Sequence, residues 1–471
     1  MFMLMLMQQT NSNCNFCQQA FSKPRLGSSS GVSVRKISKQ NNPTICSIRM
    51  LSSLRRVVPT LPRGSRSLTS QQIFDREKKF GCHNYKPLPV ALAKGEGCFV
   101  WDVEGKRYFD FLAAYSAVNQ GHCHPKLLKV IQEQAAILTL TSRAFYNNVL
   151  GEYEEYITKL FGYDKVLPMN TGVEACESAV KLARRWAYDV KKVKENEAVV
   201  VFAENNFWGR SIAAISASTD PDSYTGFGPF VPGFKTVPYN NLEAVEKAVA
   251  DKNVAAFMVE PIQGEAGVVL PDAGYLKGVA DICKKHNVLF VVDEVQTGLG
   301  RTGKLLAHYH DDVRPDIVIL GKALSGGFYP VSAVLCDDNV MMNIKPGQHG
   351  STYGGNPLAS KLAIAALEIL QEEKLVENSA AMGNVLMERL KTLPKNVVSV
   401  VRGKGLFCAI VINKKYDAWQ VCLKLKENGL LAKNTHGDII RFAPPLCINK
   451  KQVEEAADIV INTVTEFAKQ H

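Results

Sequence analysis

The chain has 471 residues and a formal net charge of +11, with 56 Lys and Arg against 45 Asp and Glu. The charge is uneven, because no acid precedes Asp75 and the first 74 residues hold ten bases. From Asp75 onward, 46 bases face 45 acids. The main part of the chain is therefore near neutral. This excludes general binding of nucleic acid by charge and assigns the basic excess to an N-terminal segment.

Composition predicts a large folded part inside a reducing compartment. Hydrophobic residues make up 46% of the chain, and its length predicts two or three domains of about 100–200 residues each. No run of about 18 apolar residues is present, so we predict no membrane span. The cysteines of the main part stand singly, without paired spacing, which indicates reduced thiols rather than a secreted disulfide framework.

Residues 1–70 have the composition of an organellar targeting segment, being rich in Ser and Arg and free of acids. Wound as a helix, residues 47–58 place apolar side chains on one side and arginines on the other. The stretch that begins at Met50 would by itself serve as a complete targeting segment. We therefore hypothesise that Met50 is an alternative or true start, which import of a fusion beginning there would test. A disordered basic arm that binds nucleic acid is the alternative interpretation.

After this segment, the chain first predicts a β-hairpin that turns at Glu104 and Gly105. Short apolar runs then alternate with helical patterns, which predicts an α/β layered domain with buried parallel strands. The runs are 165–170, 198–202, 254–259, 288–293, 316–320 and 331–336. In such a domain, ligands bind at the carboxyl ends of the strands.

The pattern changes near residue 360, where a long helical stretch leads into further strands and helices. We interpret this part as a smaller α+β domain that the N-terminal hairpin joins. The predicted divisions are 1–70 (targeting segment), 71–115 (N-terminal segment), 116–360 (large cofactor-binding domain) and 361–471 (small C-terminal domain).

Two polar residues follow or end adjacent apolar runs. Lys322 lies just after run 316–320, where desolvation would free its amine as a nucleophile. Asp293 ends run 288–293, and an acid beside such a lysine suits pyridoxal phosphate, whose pyridine nitrogen it would keep protonated. Taken singly, Lys322 could also be an ordinary surface lysine and Asp293 a helix cap or ion-pair partner.

The junction from Asn170 to Val173 ends one run and opens a helix, which predicts a phosphate site at the free backbone amides. The stretch 298–303 matches the dinucleotide motif G-x-G-x-x-G. We reject it because it starts too late after its strand and lacks the following helix and acid. The sequence His122-Cys123-His124 suggests metal ligands, but no complementary cluster stands out, so we predict no metal.

Arg441 lies inside the apolar run IIRFAPPL. A guanidinium in such surroundings needs an anion, because an unpaired buried charge costs several kcal/mol. A substrate carboxylate is one candidate partner and a structural glutamate is the other, with Glu260 and Glu265 both near a strand end.

Together these segments resemble the class III aminotransferases, enzymes of pyridoxal-phosphate fold type I. The resemblance covers residues 75–471 and includes YSAVNQGHCHPK, VLPMNTGVEA, NFWGR, VEPIQGEAGVV, DEVQTGLGRTG, LGKALSGG and HGSTYGGNP. It implies an α/β fold, with a mostly parallel seven-stranded sheet covered by helices in the large domain. The smaller α+β domain would be formed by the N- and C-terminal segments.

The resemblance also implies how pyridoxal 5′-phosphate is held. Lys322 would bind the cofactor covalently and shuttle the proton, while Asp293 would pair with the pyridine nitrogen. Further contacts would come from the amides of Gly172 and Val173 to the phosphate, stacking by Phe207, a hydrogen bond from Gln296 to the ring oxygen, and Ser351 and Thr352. The last two would reach the phosphate of the neighbouring subunit, which implies an obligate homodimer with shared sites.

Within the family, the resemblance is to members that act on ornithine in the mitochondrial matrix. It implies transfer of the δ-amino group of L-ornithine to 2-oxoglutarate, which gives glutamate and a semialdehyde that cyclises to pyrroline-5-carboxylate. The implied substrate-binding residues are Tyr85, Tyr115, Trp208, Arg210, Glu265 and Arg441.

Each of these residues has an implied task. Tyr85 and Tyr115 would hold the α-groups of ornithine, whereas Arg441 and Arg210 would hold the two carboxylates of 2-oxoglutarate. Glu265 would neutralise Arg441 during the ornithine half-reaction. Trp208 replaces a histidine of more distant members and so favours this branch of the family.

Two kinds of alternative remain open. Within the family, the chain could be an acetylornithine or 4-aminobutyrate aminotransferase, or an aminomutase, although Tyr85 and Trp208 speak against these. Outside it, the chain could be a scaffold that keeps the fold without a cofactor, against which Lys322 and Asp293 speak.

Overall fold

The strands of the protein form three sheets in the computed structural model, which describes residues 68–470. In chain order the strands are β1 Leu92–Glu96, β2 Phe99–Asp102, β3 Arg107–Asp110, β4 Lys165–Met169, β5 Val199–Ala203, β6 Phe234–Val237, β7 Val254–Val259, β8 Leu289–Asp293, β9 Ile317–Leu320, β10 Ser332–Cys336, β11 Val398–Lys404, β12 Phe407–Ile412, β13 Leu430–Leu431, β14 Lys433–Thr435 and β15 Ile439–Phe442.

Helices occupy the segments between these strands and both ends of the described chain. They are α1 Ser70–Phe80, α2 Ala113–Ser116, α3 Pro125–Ala135, α4 Leu150–Phe161, α5 Gly172–Asp189, α6 Ile212–Ser216, α7 Pro221–Tyr224, α8 Leu242–Val249, α9 Tyr275–Lys285, α10 Asp338–Met341, α11 Pro357–Glu372, α12 Leu375–Leu390, α13 Ala418–Glu427 and α14 Lys450–Gln470. No helix in residues 68–470 combines the length and apolar character that crossing a membrane requires.

The largest sheet has seven strands in the order β4-β10-β9-β8-β7-β5-β6. Strands β9, β8, β7, β5 and β6 pair in parallel, whereas β10 runs antiparallel to both β4 and β9. The predicted α/β fold with a mostly parallel sheet is therefore confirmed. All six predicted apolar runs are strands of this sheet, and β6 is the one that the apolar pattern does not reveal.

Helices cover both faces of this sheet, and alternate residues of each strand point to opposite sides. On β5, Val200 and Phe202 pack with the apolar face of α5, whereas Val201 and Ala203 pack with residues of α8 and α9. Strand β7 is buried along its whole length. Burial on both faces explains why the central strands are continuous apolar runs rather than alternating ones.

The two smaller sheets connect the N-terminal hairpin with the C-terminal part of the chain. Strands β2 and β3 form the predicted hairpin, and Gly105 in its turn has a φ of +87°. Strand β13 then pairs in parallel with β3, and the third sheet has the order β11-β12-β15-β14. The described residues belong to one compact unit. The predicted division at residues 115 and 360 stays a prediction, and the targeting segment up to residue 67, with Met50, lies outside the described residues.

Candidate active site

The N-terminus of helix α5 lies against the loop that follows β8. Thr171 and Glu174 cap the helix reciprocally, through the hydroxyl of Thr171 and the carboxylate of Glu174. The amides of Gly172 and Val173, at the first two helical positions, have no intrahelical acceptor. A methyl group on Gly172 would lie 3.0 Å from Cγ1 of Val295, so glycine allows this close approach. The result is a helix N-terminus suited to a phosphate group.

Lys322 follows β9 and begins a short 3-10 turn with a φ of +45°, an uncommon backbone conformation for a residue other than glycine. Burial, together with the charge of Arg441, lowers the pKa of its amine to about 8, although the carboxylates of Glu265, Asp293 and Glu260 oppose the decrease. An appreciable fraction of the amine is therefore neutral and nucleophilic near neutral pH.

Asp293 is the last residue of β8 and is buried. Its Oδ1 accepts a hydrogen bond from the amide of Val295 at 2.9 Å, and its Oδ2 accepts one from the thiol of Cys176 at 3.5 Å. Burial raises the pKa of the carboxyl to about 6, although these two hydrogen bonds and the nearby Lys322 amine oppose the increase. A protonated ring nitrogen placed against Asp293 would satisfy this buried charge.

Arg441, on β15, forms an ion pair with Glu265. The guanidinium Nη1 donates to Oε2 of Glu265 at 2.9 Å and to the carbonyl oxygen of Gly264 at 3.3 Å. The side chain of Arg441 is 4% exposed, whereas that of Glu265 is 29% exposed. Among the described residues, Nε of Arg441 has no hydrogen-bond partner. The guanidinium thus retains a donor for another anion, and Glu265 is the partner that faces solvent.

Tyr115 lies over this ion pair, with its ring centroid 5.2 Å from Cζ of Arg441. It belongs to α2, in which all four residues have positive φ values between 46° and 70°, so the turn is left-handed. Asp110 supports the turn, because its Oδ1 accepts the amides of Leu112 and Ala113. Burial raises the pKa of the Tyr115 phenol, and the nearby Tyr85 adds to this increase. The side chain of Tyr85 is itself exposed.

Comparison with known proteins identifies the family. The sequence model described as Aminotransferase class-III matches residues 80–464. The chain belongs to this family. A probable mitochondrial ornithine aminotransferase of Caenorhabditis elegans is 89% identical over 422 residues, which span 90% of this chain and 100% of that protein.

Solved structures give the same family from the fold. The ornithine aminotransferase of Toxoplasma gondii ME49 is 46% identical, with a TM-score of 0.85 over 86% of this chain and 97% of that one. The acetylornithine aminotransferase of Elizabethkingia anophelis is 55% identical, with a TM-score of 0.77 over 84% of this chain and 99% of that one. Overall similarity therefore extends to proteins named for two different substrates.

Class-III aminotransferases use pyridoxal 5′-phosphate, and the residues of this site fit that group. The backbone before Lys322 lies against the N-terminus of α5, since a Cβ on Gly321 would lie 3.6 Å from Cα of Gly172 and 3.3 Å from Cγ1 of Val295. The carboxylate of Asp293 accepts the amide of the same Val295 and is near enough to the Lys322 amine to raise its pKa. The lysine amine, the Asp293 carboxylate and the N-terminus of α5 match, in turn, the aldehyde, the ring nitrogen and the phosphate of the cofactor.

The loop after β5 carries three of the predicted residues, and the structure separates them. Phe207 is half-buried, and the guanidinium of Arg210 lies 5.5 Å from its ring centroid. The indole of Trp208 is instead buried against Phe202, with the two rings stacked at 5.5 Å. Trp208 therefore packs in the core beside the loop. Its assignment to substrate binding stays a prediction, as do those of Phe207 and Arg210.

Ser351 and Thr352 lie near the phosphate site of their own chain in this structure. The hydroxyl of Ser351 accepts a hydrogen bond from the side-chain amide of Asn170 at 2.9 Å, and Thr352 is exposed. Their contact with the phosphate of a neighbouring subunit stays a prediction. Gln296 is buried beside Gly264, where any Cβ on that glycine would lie 2.6 Å from Cδ of Gln296.

The two rejected motifs have structural functions. His122 and His124 contact different carboxylates, those of Asp110 at 2.7 Å and Glu373 at 2.9 Å. No cluster of three potential metal ligands occurs within residues 68–470. In the stretch 298–303, Arg301 is fully buried and donates to the carbonyl oxygens of residues 406 and 444. This stretch thus connects to the C-terminal part of the chain.

Two site residues escaped the sequence patterns. Cys176 is a core position of the apolar face of α5, so nothing in its spacing reveals the contact with Asp293. The sequence indicates Glu260 only as a candidate partner of Arg441, but in the structure Glu265 forms that ion pair. Glu260 is buried at the end of β7, where burial raises the pKa of its carboxyl to about 8. Its place after a fully apolar strand was the one available signal.

Proposed function

We propose that this chain catalyses transfer of the δ-amino group of L-ornithine to 2-oxoglutarate in the mitochondrial matrix. The Arg441–Glu265 ion pair is the observation that carries the proposal. One substrate presents its terminal amine to the cofactor and leaves Arg441 without a carboxylate, whereas the other presents its keto carbon beside a carboxylate. Because Glu265 can neutralise the guanidinium of Arg441 or leave it free for a carboxylate, the same site can accept both substrates.

In the ornithine half-reaction, Glu265 stays on Arg441, so the guanidinium does not compete for the α-carboxylate of ornithine. Tyr115 and Tyr85 hold the α-groups away from Lys322, which leaves the terminal amine nearest to the reacting lysine. Bound pyridoxal phosphate supplies an electron sink that makes the carbon beside the transferred nitrogen acidic. Lys322, with its lowered pKa, takes up and returns the proton there.

In the second half-reaction, one carboxylate of 2-oxoglutarate binds Arg441 and displaces the solvent-facing Glu265. The Nε donor of Arg441, which has no partner among the described residues, allows two-point binding of the incoming carboxylate. Arg210, beside Phe207, binds the second carboxylate. The keto carbon is thereby placed at Lys322, and glutamate leaves as the product.

We further propose that the enzyme is a homodimer with shared active sites and that residues 1–70 direct it to mitochondria. The relative of Caenorhabditis elegans, which matches over 100% of its length, is named as mitochondrial. The acid-free, arginine-containing composition of this segment supports the same destination.

The second candidate substrate is N-acetylornithine, which the 55% identity to an acetylornithine aminotransferase favours. Absorbance spectroscopy of the cofactor-loaded protein separates the candidates. Ornithine alone should convert the yellow cofactor to its colourless amine form, and 2-oxoglutarate should restore the colour. Mass spectrometry should then detect glutamate and pyrroline-5-carboxylate. A higher kcat/KM for N-acetylornithine or 4-aminobutyrate than for ornithine would overturn the proposal.

A further inference from the structure

Glu260 joins two loops of the active site through one carboxylate. It directly follows β7 and is 6% exposed. Its Oε1 accepts the amide of Phe207 at 3.0 Å, and its Oε2 accepts the amide of Gly264 at 3.0 Å. Phe207 belongs to the loop after β5, whereas Gly264 immediately precedes Glu265. Both oxygens of a single buried side chain are thus committed to different backbone segments.

The Gly264 segment touches several groups that the proposed reaction needs. Its carbonyl oxygen accepts Nη1 of Arg441 at 3.3 Å. A side chain at Gly264 would collide with Gln296, since its Cβ would lie 2.6 Å from Cδ of that residue. A second hydrogen bond connects the same segment to the start of the loop after β5, where Gln263 donates to the carbonyl oxygen of Glu204 at 2.7 Å. A shift of Gly264 would therefore disturb both Arg441 and Gln296.

The chemistry of these contacts requires a group that accepts twice and donates to neither amide. A carboxyl group meets this requirement in either protonation state, because both of its oxygens keep acceptor capacity, while the amide of glutamine offers one acceptor oxygen and one NH₂ group. A glutamine at position 260 would therefore leave one backbone N–H unpaired or facing another donor. An unpaired buried donor has a substantial cost, because it has lost water without gaining a partner.

We propose that Glu260 is a positioning residue that fixes the Phe207 loop and the Gly264–Glu265 segment relative to each other. It thereby holds the Phe207 ring, which the family resemblance predicts to stack on the cofactor, at a fixed position relative to the Arg441–Glu265 ion pair. Glu260 acts through these neighbours and takes no part in the transfer itself. This inference rests on the proposed function, because that function assigns cofactor and substrate binding to the two loops.

Glu260→Gln tests the proposal, and Asp316→Asn is its matched control. Asp316 is also a carboxylate that accepts a backbone amide, that of Phe290 at 2.7 Å, and burial raises its pKa too. It precedes β9, however, so it lies at the opposite end of that strand from Lys322, about 15 Å away. The control therefore makes the same carboxylate-to-amide change at a buried hydrogen bond remote from the site, but there the single backbone amide can still be accepted by the remaining amide oxygen.

Hydrogen exchange of backbone amides is the first measurement, because it needs no cofactor and no turnover. In Glu260→Gln we expect faster exchange at Phe207 or Gly264, because only one of the two amides keeps its acceptor. In Asp316→Asn we expect exchange at Phe207 and Gly264 to stay at the wild-type rate, with any change confined to Phe290. The second measurement is the dissociation constant of pyridoxal phosphate, followed by fluorescence. We expect it to rise about tenfold or more in Glu260→Gln, the change that corresponds to one unpaired buried donor, and to stay unchanged in the control.

The KM for 2-oxoglutarate should also rise in Glu260→Gln, because Arg441 loses a fixed support. Unaltered exchange at both amides would overturn the proposal, as would equal changes of cofactor affinity in the two variants. If Glu260→Gln does not fold, Glu260→Asp provides the same comparison, since its shorter side chain cannot reach both loops. A wild-type protein that binds pyridoxal phosphate but ignores ornithine would refute the proposed function and leave the exchange and affinity results standing.

Discussion

Replacing Glu265 with glutamine should affect the two half-reactions in opposite directions. The substitution keeps the size of the side chain and one acceptor oxygen, but it removes the charge that neutralises Arg441 at 2.9 Å. In the ornithine half-reaction, the buried guanidinium would then attract the α-carboxylate that Tyr115 and Tyr85 should hold. In the second half-reaction, 2-oxoglutarate would no longer have to displace Glu265 before it binds.

The size of the effect follows from the exposure of the two partners. Breaking a fully buried ion pair costs about 3–5 kcal/mol. Arg441 is 4% exposed but Glu265 is 29% exposed, and glutamine keeps a hydrogen bond, so we expect about 1.5–3 kcal/mol after allowing for solvent screening. At 1.36 kcal/mol for each factor of ten, kcat/KM for ornithine should fall by about 10- to 100-fold. The KM for 2-oxoglutarate should fall as well.

Single-turnover absorbance measurements of each half-reaction are the appropriate assay, because they separate the two substrates. A pH titration adds an independent signature. Glu265 raises the pKa of the Lys322 amine, so its neutralisation should move that pKa below about 8. The pH dependence of cofactor rebinding by the cofactor-free protein should then shift to lower pH. Equal losses in both half-reactions, or an unchanged ornithine half-reaction, would refute the reasoning.

Three further substitutions test the cofactor site. Lys322→Ala should lower kcat by at least about a hundredfold through loss of acid–base catalysis. Borohydride should attach the cofactor irreversibly to the wild type but not to the variant, which mass spectrometry of the intact protein can detect. Asp293→Asn should lower kcat by about a hundredfold or more while ornithine still binds, which stopped-flow absorbance can resolve. In Gly209→Ala, the new methyl group would collide with the side chain of Val173, at a backbone φ of +142°. We expect the free energy of unfolding to fall by about 1–3 kcal/mol and cofactor binding to weaken. An unchanged Tm in thermal unfolding would contradict this packing argument.

The central sheet could be predicted because burial on both faces leaves a plain signal. Strands such as β7, buried at every position, appear as unbroken apolar runs between polar helix surfaces. Strand β6 shows the limit of this signal. It lies at the edge of the sheet beside β5, and two of its four residues are exposed, so it lacks the continuous apolar run that marks the central strands. Edge strands depend on a neighbour for their pairing, and a neighbour is a tertiary property.

The site was predictable to the extent that its groups follow strand ends. Lys322 and Asp293 stand next to apolar runs, so their side chains had to meet at one edge of the sheet. The choice between Glu260 and Glu265 as partner of Arg441 depended instead on the path of the loop between them. In that loop Gly267 has a φ of +103° and packs against Ile439, the residue two positions before Arg441. The local sequence does not reveal that this loop packs against β15.

The left-handed turn that carries Tyr115 is the clearest case of tertiary structure overriding local preference. Its sequence, Ala-Ala-Tyr-Ser, contains no glycine or asparagine, and a non-glycine residue in this conformation costs of order 1 kcal/mol or more. Asp110 partly offsets this strain, because its Oδ1 accepts two amides at the start of the turn while its Oδ2 contacts His122. The ring of Tyr115 is thereby directed over Arg441. The strain is therefore located where the proposed mechanism needs a fixed phenol, and packing from distant parts of the chain maintains it.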